Sequence, residues 1–135
     1  MTGETILVVD AGEDIDQRMT ATLEAEGYLV YPVSSQDVNA ELAELLRPSL
    51  TYIKPLDLSP TGLKSCKAIH AIPLLKKVPV VILASLKKPL NPETSKEYGV
   101  VGFLEPTFGP GELVEKTQSI LGKTAPSGSP REDGP

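Results

Sequence analysis

The sequence predicts a doubly wound α/β domain, with five parallel strands in the order 2-1-3-4-5 and helices on both faces of the sheet. Three observations carry that expectation. Runs such as TILVVD (Thr5–Asp10) and VPVVILAS (Val78–Ser85) are almost continuously apolar and rich in β-branched residues, as strands buried on both faces are. The stretches between such runs space their apolar residues three or four apart, the period of a helix. Strand-like and helix-like segments alternate five times before the apolar pattern stops near Leu121.

TILVVD is the first strand, ending in an acid. In AGEDIDQRMTATLEAEG, Ile15, Met19 and Leu23 share one face. Acids fill its first turn and Gly27 stops it, so a helix is expected. The next strand, YLVYPVS, contains Pro32, which cannot donate to a ladder and so belongs at a sheet edge. A second helix is expected over Ser35–Leu46, with Val38, Leu42 and Leu45 inward and Pro48 closing it. Leu50–Ile53 is the third strand and ends in Lys54, followed by a loop rich in Pro, Ser, Asp and Gly. Gly62–Ile72 makes the third helix, its inner face holding Leu63, Cys66 and Ile69.

Val78–Ser85 is the fourth strand. Between Leu86 and Gly99, Pro89 and Pro92 interrupt any helix. Pro92 can begin one, with Asn91 as its cap, so the fourth helix should be short, about Pro92–Tyr98, and enter from a rigid loop. VVGFL is the fifth strand, and Pro110–Leu121 the last helix, with Gly122 beyond its end. Residues 123–135, KTAPSGSPREDGP, carry no apolar side chain larger than alanine and read as a disordered linker. In a flavodoxin-like sheet of this order, chemistry gathers at the carboxyl tips of strands 1, 3 and 4, where Asp10, Lys54 and Ala84 stand.

Composition narrows the classes. A chain of 135 residues makes one domain, and 40% hydrophobic with 23% charged residues is ordinary for a globular protein. A formal net charge of −5 argues against a phosphate-backbone binder, and the Lys76–Lys77 and Lys87–Lys88 pairs read as solvated loop charges. No apolar run reaches the ~20 residues of a membrane span. Met1–Glu4 lacks a signal-peptide pattern, so the chain is expected in the cytoplasm, away from membranes. A single cysteine, Cys66, excludes an internal disulfide and a cysteine-based zinc site. It fits the core. His70 has no metal-ligand partner at helical spacing and reads as a surface residue. P-loop, G-x-G-x-x-G, G-x-S-x-G and H-E-x-x-H motifs are all missing, so no enzyme class and no cofactor is indicated.

Over residues 5–122 the sequence resembles a response-regulator receiver (CheY-like) domain, the phosphoacceptor module of two-component signalling. ILVVDAGEDIDQRMTATLEAEGY is similar to the family's opening strand and helix. RPSLTYIK resembles the approach to the phosphoacceptor, and GLKSCKAI the helix after it. PVVILAS and GVVGFLEPTFGPGEL resemble the fourth strand and the fifth strand with its following helix. The resemblance implies two acids after strand 1, an aspartate ending strand 3, a hydroxyl at strand 4 and a lysine after strand 5, together holding magnesium and a phosphoryl group. The positions here are Asp10, Ala11, Lys54, Ala84 (with Ser85 one step on) and Pro106; the aromatic switch position is Phe103. One acid among these offers a hard cation too few oxygens, and a lysine cannot form an acyl phosphate. A pseudo-receiver is expected, spanning residues 1–122.

Two readings of Lys54 follow: its ammonium replaces the metal and pairs with Asp10, with Glu105 as a further partner, or it points into solvent. A nucleophilic lysine would need a second catalytic group, and none accompanies it. Asp57 reads as a turn residue, and Glu13 and Asp14 as first-turn acids. The expected function is phosphorylation-independent docking of a protein partner, in the N-terminal part of a larger bacterial signalling, motility, polarity or regulatory protein. The expected docking face is helix 4, strand 5 and helix 5, with Lys87, Lys88, Lys96, Phe103 and Lys116. Two alternatives stay open: a phospho-switch through Asp57 or Asp10, and a small-ligand sensor in the emptied pocket.

Overall fold

The computed structural model describes residues 3–85 and 92–121. It contains strands β1 (Thr5–Val9), β2 (Leu29–Val33), β3 (Leu50–Ile53), β4 (Val80–Leu83) and β5 (Val100–Leu104). The helices are α1 (Glu13–Glu24), α2 (Ala40–Leu46), α3 (Lys64–His70), α4 (Pro92–Glu97) and α5 (Pro110–Leu121). The strands form one five-stranded sheet in the order β2-β1-β3-β4-β5, with every neighbouring pair parallel. This is the expected flavodoxin-like, CheY-like architecture.

Strand alternation divides the interior into two cores. Ile6, Val8, Leu50, Tyr52, Val81 and Leu83 face one way and pack with Met19 and Leu23 of α1 and Leu113 of α5. Leu7, Val9, Ile53, Val80 and Ile82 face the other way, against Ala43 of α2 and Cys66 and Ile69 of α3. Each Val, Leu, Ile or Met among them contributes about 1.5–3 kcal/mol by leaving water. Across the first core, the Tyr52 hydroxyl and Thr117 Oγ1 lie 2.6 Å apart, both fully buried. Burial pushes the Tyr52 phenol up to about 12 and the Cys66 thiol up to about 11, leaving that cysteine an inert core residue.

Pro32 sits on edge strand β2, as expected. Leu29 N–H donates to Glu4 and Val33 accepts from Asp10, so alternate residues of β2 bond β1 and Pro32 faces outward. At the opposite edge the β4–β5 register jumps from Val80↔Val100 to Val81↔Gly102. The jump is a bulge, and it pushes Val101 out until it is 57% exposed.

Two expectations need correction. The second helix is not continuous from Ser35. A 3-10 turn (Ser35–Asp37) is capped by Ser34, the chain then extends, and Asn39 Oδ1 caps α2 by accepting Leu42 N–H at 2.8 Å. Starting the helix at Ala40 turns Ala43 inward with Leu46 beside the core and leaves Leu45 78% exposed. His70 is not a surface residue. It is half-buried, its Nδ1 is buried with no hydrogen-bond partner among the described residues, and a Cβ at Gly99 would lie 2.7 Å from its Cε1. The fourth helix is as short as expected, six residues, and Gly99 ends the following turn at φ +69°. Its expected cap Asn91, the pair Lys87–Lys88, Pro89, Gly122 and the tail lie outside the described residues.

Candidate functional site

The β1–β3 register aligns Val9 with Ile53, so Asp10 and Lys54 follow at neighbouring strand tips. Lys54 N–H donates to Val9 at 3.0 Å. Their side chains nevertheless do not form an ion pair. Asp10 is in the left-handed region, φ 57°, and its Oδ1 accepts Ser35 N–H at 2.9 Å. Lys54 is exposed and has no ion-pair partner among the described residues. The solvent reading of Lys54 holds and the metal-replacing pair does not. The left-handed turn at Asp10 aims the carboxylate at the chain leaving β2 instead of at β3.

Ala11 is 6% exposed and belongs to the first core, so its methyl group is packing where the resemblance implies a second acid. Ala84 is half-buried against the second core and its N–H donates to Leu104 at 3.1 Å. Ser85 is exposed, with its hydroxyl 3.5 Å from a Glu105 oxygen, a weak contact at that length. Phe103 packs toward the second core. These residues do not fit a magnesium ion: one carboxylate, already accepting an N–H, stands beside a buried methyl and near an ammonium. Among the described residues no three His, Cys, Asp or Glu side chains are placed to share a metal.

Asp57 is exposed and folds onto its own turn. Its Oδ1 accepts Ser59 N–H at 2.8 Å and the Ser59 hydroxyl, and these bonds hold the carboxyl below its usual range. Gly62 is required there, since a Cβ at that position would meet Asp57 Oδ1 at 2.1 Å.

The β5–α5 loop holds a contact that the sequence did not reveal. Arg18, on α1, donates to the Pro106 carbonyl oxygen at 2.6 Å, and its guanidinium carbon lies 4.6 Å from the centre of the Phe108 ring. The one available signal was an arginine three residues after Ile15, at the margin of the apolar stripe. On the expected docking face, Lys96 is exposed on α4, and Lys116 is half-buried with its Nζ 3.5 Å from where a Cβ at Gly102 would stand. Phe103, turned toward the second core, contributes little of its ring to that face.

A groove of about 830 Å³ opens between the 3-10 turn at Ser35 and α3. Asp10 and Lys54 line it, together with Gln36, Thr61, Lys64 and Ser65. Ala11, Ala84, Phe103 and Pro106 do not.

No protein-family model matches the chain. It is 25% identical over 130 residues to the phosphate regulon transcriptional regulatory protein PhoB of Pseudomonas aeruginosa, covering 96% of this chain and 56% of that relative. The chain thus spans about half the length of the curated relative it matches. Among solved structures, chemotaxis protein CheY4 of Vibrio cholerae superposes with a TM-score of 0.73 at 24% identity, covering 87% of this chain and 98% of that one. The N-terminal domain of a response regulator receiver protein from Methanoculleus marisnigri superposes with a TM-score of 0.60 at 27% identity, over 87% and 95% of the two chains. In strand order, helix placement and likeness to these structures, the chain has the CheY-like fold seen in response-regulator receivers.

Proposed function

We propose that this domain is a pseudo-receiver: a phosphorylation-independent protein-docking module, not an enzyme, within a longer cytoplasmic bacterial regulator. The observation that carries the reading is the exposed Lys54 at the tip of β3, next to a strand tip whose second acid position is the core methyl of Ala11. An acyl phosphate needs a carboxylate to carry it and a cation to neutralise the transferred group; the tip of β3 offers no carboxylate, and a divalent cation would find too few oxygen ligands. Asp57, held by Ser59 on an exposed turn, does not take the missing role. The 56% coverage of PhoB supports further sequence elsewhere in the protein.

The docking face proposed is α4, β5 and α5. The short α4, the bulged Val101 and the exposed Lys96 leave that edge open. The Arg18 contacts tie the neighbouring loop to α1, which supports a face presented in one arrangement. Incubation with acetyl phosphate and magnesium followed by intact mass tests the first half: the mass should stay constant, and a stoichiometric gain of one phosphoryl group would refute it. Charge reversal at Lys96 and Lys116 tests the second half and should weaken capture of the partner.

A further inference from the structure

We infer that the groove between the Ser35 turn and α3 binds a small, non-aromatic polyanion, an organic phosphate or a polycarboxylate. This site is separate from the proposed docking face, and neither stands or falls with the other.

The argument begins with which polar groups are already satisfied. Asp10, which lines the groove, is engaged locally by accepting Ser35 N–H, and Asp57, in the loop after Lys54, accepts from Ser59. The two lysines that line it, Lys54 and Lys64, are exposed and have no ion-pair partner among the described residues. Neither do the Thr61 and Ser65 hydroxyls have an internal hydrogen bond among those residues. The groove therefore offers an excess of donors, two of them charged, around a space of about 830 Å³. That space holds a small organic molecule more naturally than a single ion. Charge-assisted bonds from two lysines suit an anion with several acceptor oxygens.

The surrounding field favours the same ligand. From Arg47 to Lys88 the sequence carries eight basic residues and one acid, Asp57, although the whole chain is at −5. Eight of the eleven residues lining the groove come from this basic stretch, whose net positive charge draws anions from a distance. No aromatic ring lines it, so a nucleobase has nothing to stack on. Gln36 and the Asp10 carboxylate supply acceptors for hydroxyl groups on the ligand's body.

The test titrates the full chain with citrate and, separately, with fructose 1,6-bisphosphate in 150 mM salt, by calorimetry and by amide chemical-shift mapping. Saturable binding of one probe is expected, with shifts concentrated at Ser35, Gln36 and Thr61–Ser65; which probe binds tells carboxylate from phosphate. Lys54→Gln and Lys64→Gln should each weaken binding about tenfold. Lys76→Gln, outside the groove, should change it less than about twofold. Absence of saturable binding by both probes overturns the inference. So does an equal loss in Lys76→Gln, which would mean a diffuse field and not a site. Shift mapping on the unaltered chain decides the location even if a variant folds poorly.

Discussion

The Arg18 guanidinium spans from α1 to the β5–α5 loop, with its carbon 4.6 Å from the centre of the Phe108 ring and a nitrogen 2.6 Å from the Pro106 carbonyl oxygen. One planar cation thereby ties together two segments 88 residues apart in sequence. The Arg18–Asp14 pair on the same helix is long, 3.9 Å, and Asp14 is 90% exposed, so the tie is the loop contact.

Replacing Arg18 by alanine should therefore cost about 1–2 kcal/mol in urea unfolding, from one charge-assisted bond and one stacking contact. Arg18→Lys should recover less than half, because an ammonium cannot lie flat on a ring while bonding a carbonyl. Asp14→Ala should stay within about 0.5 kcal/mol. Equal losses for Arg18→Ala and Asp14→Ala would place the energy in the helix and not in the loop.

Tyr52 and Thr117 form a buried hydroxyl pair, so removing one partner should cost more than removing both. Thr117→Val alone should lose about 1–3 kcal/mol, and Tyr52→Phe with Thr117→Val less than the sum of the single changes. The same pair predicts a pH dependence. The folded phenol, pushed up to about 12, stays protonated while the unfolded one ionises near 10. Its contribution is thus whole below about pH 10 and declines as pH rises toward 12, by roughly 2–3 kcal/mol. Urea midpoints at pH 8 and pH 11 should differ in the parent protein and differ less in Tyr52→Phe.

Gly99→Ala places a methyl 2.7 Å from His70 Cε1 at a backbone φ of +69°. The clash and the left-handed strain should together cost about 2 kcal/mol or more. Adding His70→Ala should return the part due to the clash and leave the backbone part. If the double change is no more stable than Gly99→Ala, the imidazole is not what the turn packs upon.

Lys54→Asp places an acid at the tip of β3, but on the proposed pseudo-receiver reading it supplies neither a second acid at Ala11 nor a hydroxyl and a cation at Ala84 and Pro106. Intact mass after incubation with acetyl phosphate and magnesium should remain that of the unmodified variant. Since Lys54 is exposed and unpaired among the described residues, the change should also leave the unfolding free energy from urea titration within about 0.5 kcal/mol of the parent.

The strands were legible because burial on both faces writes itself as unbroken runs, as in Ile6–Val9 and Val80–Leu83, and Leu63, Cys66 and Ile69 showed their helical face through spacing alone. Local capping was harder to read. Asn39 as a cap shifts α2 by several residues, and that shift decides that Ala43 is inward and Leu45 outward. At the candidate site, topology placed Asp10 and Lys54 at adjacent tips correctly. Whether two tips pair depends on one dihedral, φ 57° at Asp10, which periodicity does not encode. The Arg18 and His70 contacts join segments far apart in sequence, and nothing local marks them.

Pro32 has a consequence for how copies of this domain can meet. A strand laid alongside β2 would find a single outward amide there, that of Val30, because the next outward position is an imino acid. Along the other border, the extra residue in β5 breaks the even spacing that a neighbour would need to zip onto it. Strand addition is thus opposed by chemistry at one border and by shape at the other. Lateral growth of strand on strand into a continuous ribbon is opposed at both borders, while side chains on β5, Val101 among them, remain open to a partner that does not extend the sheet.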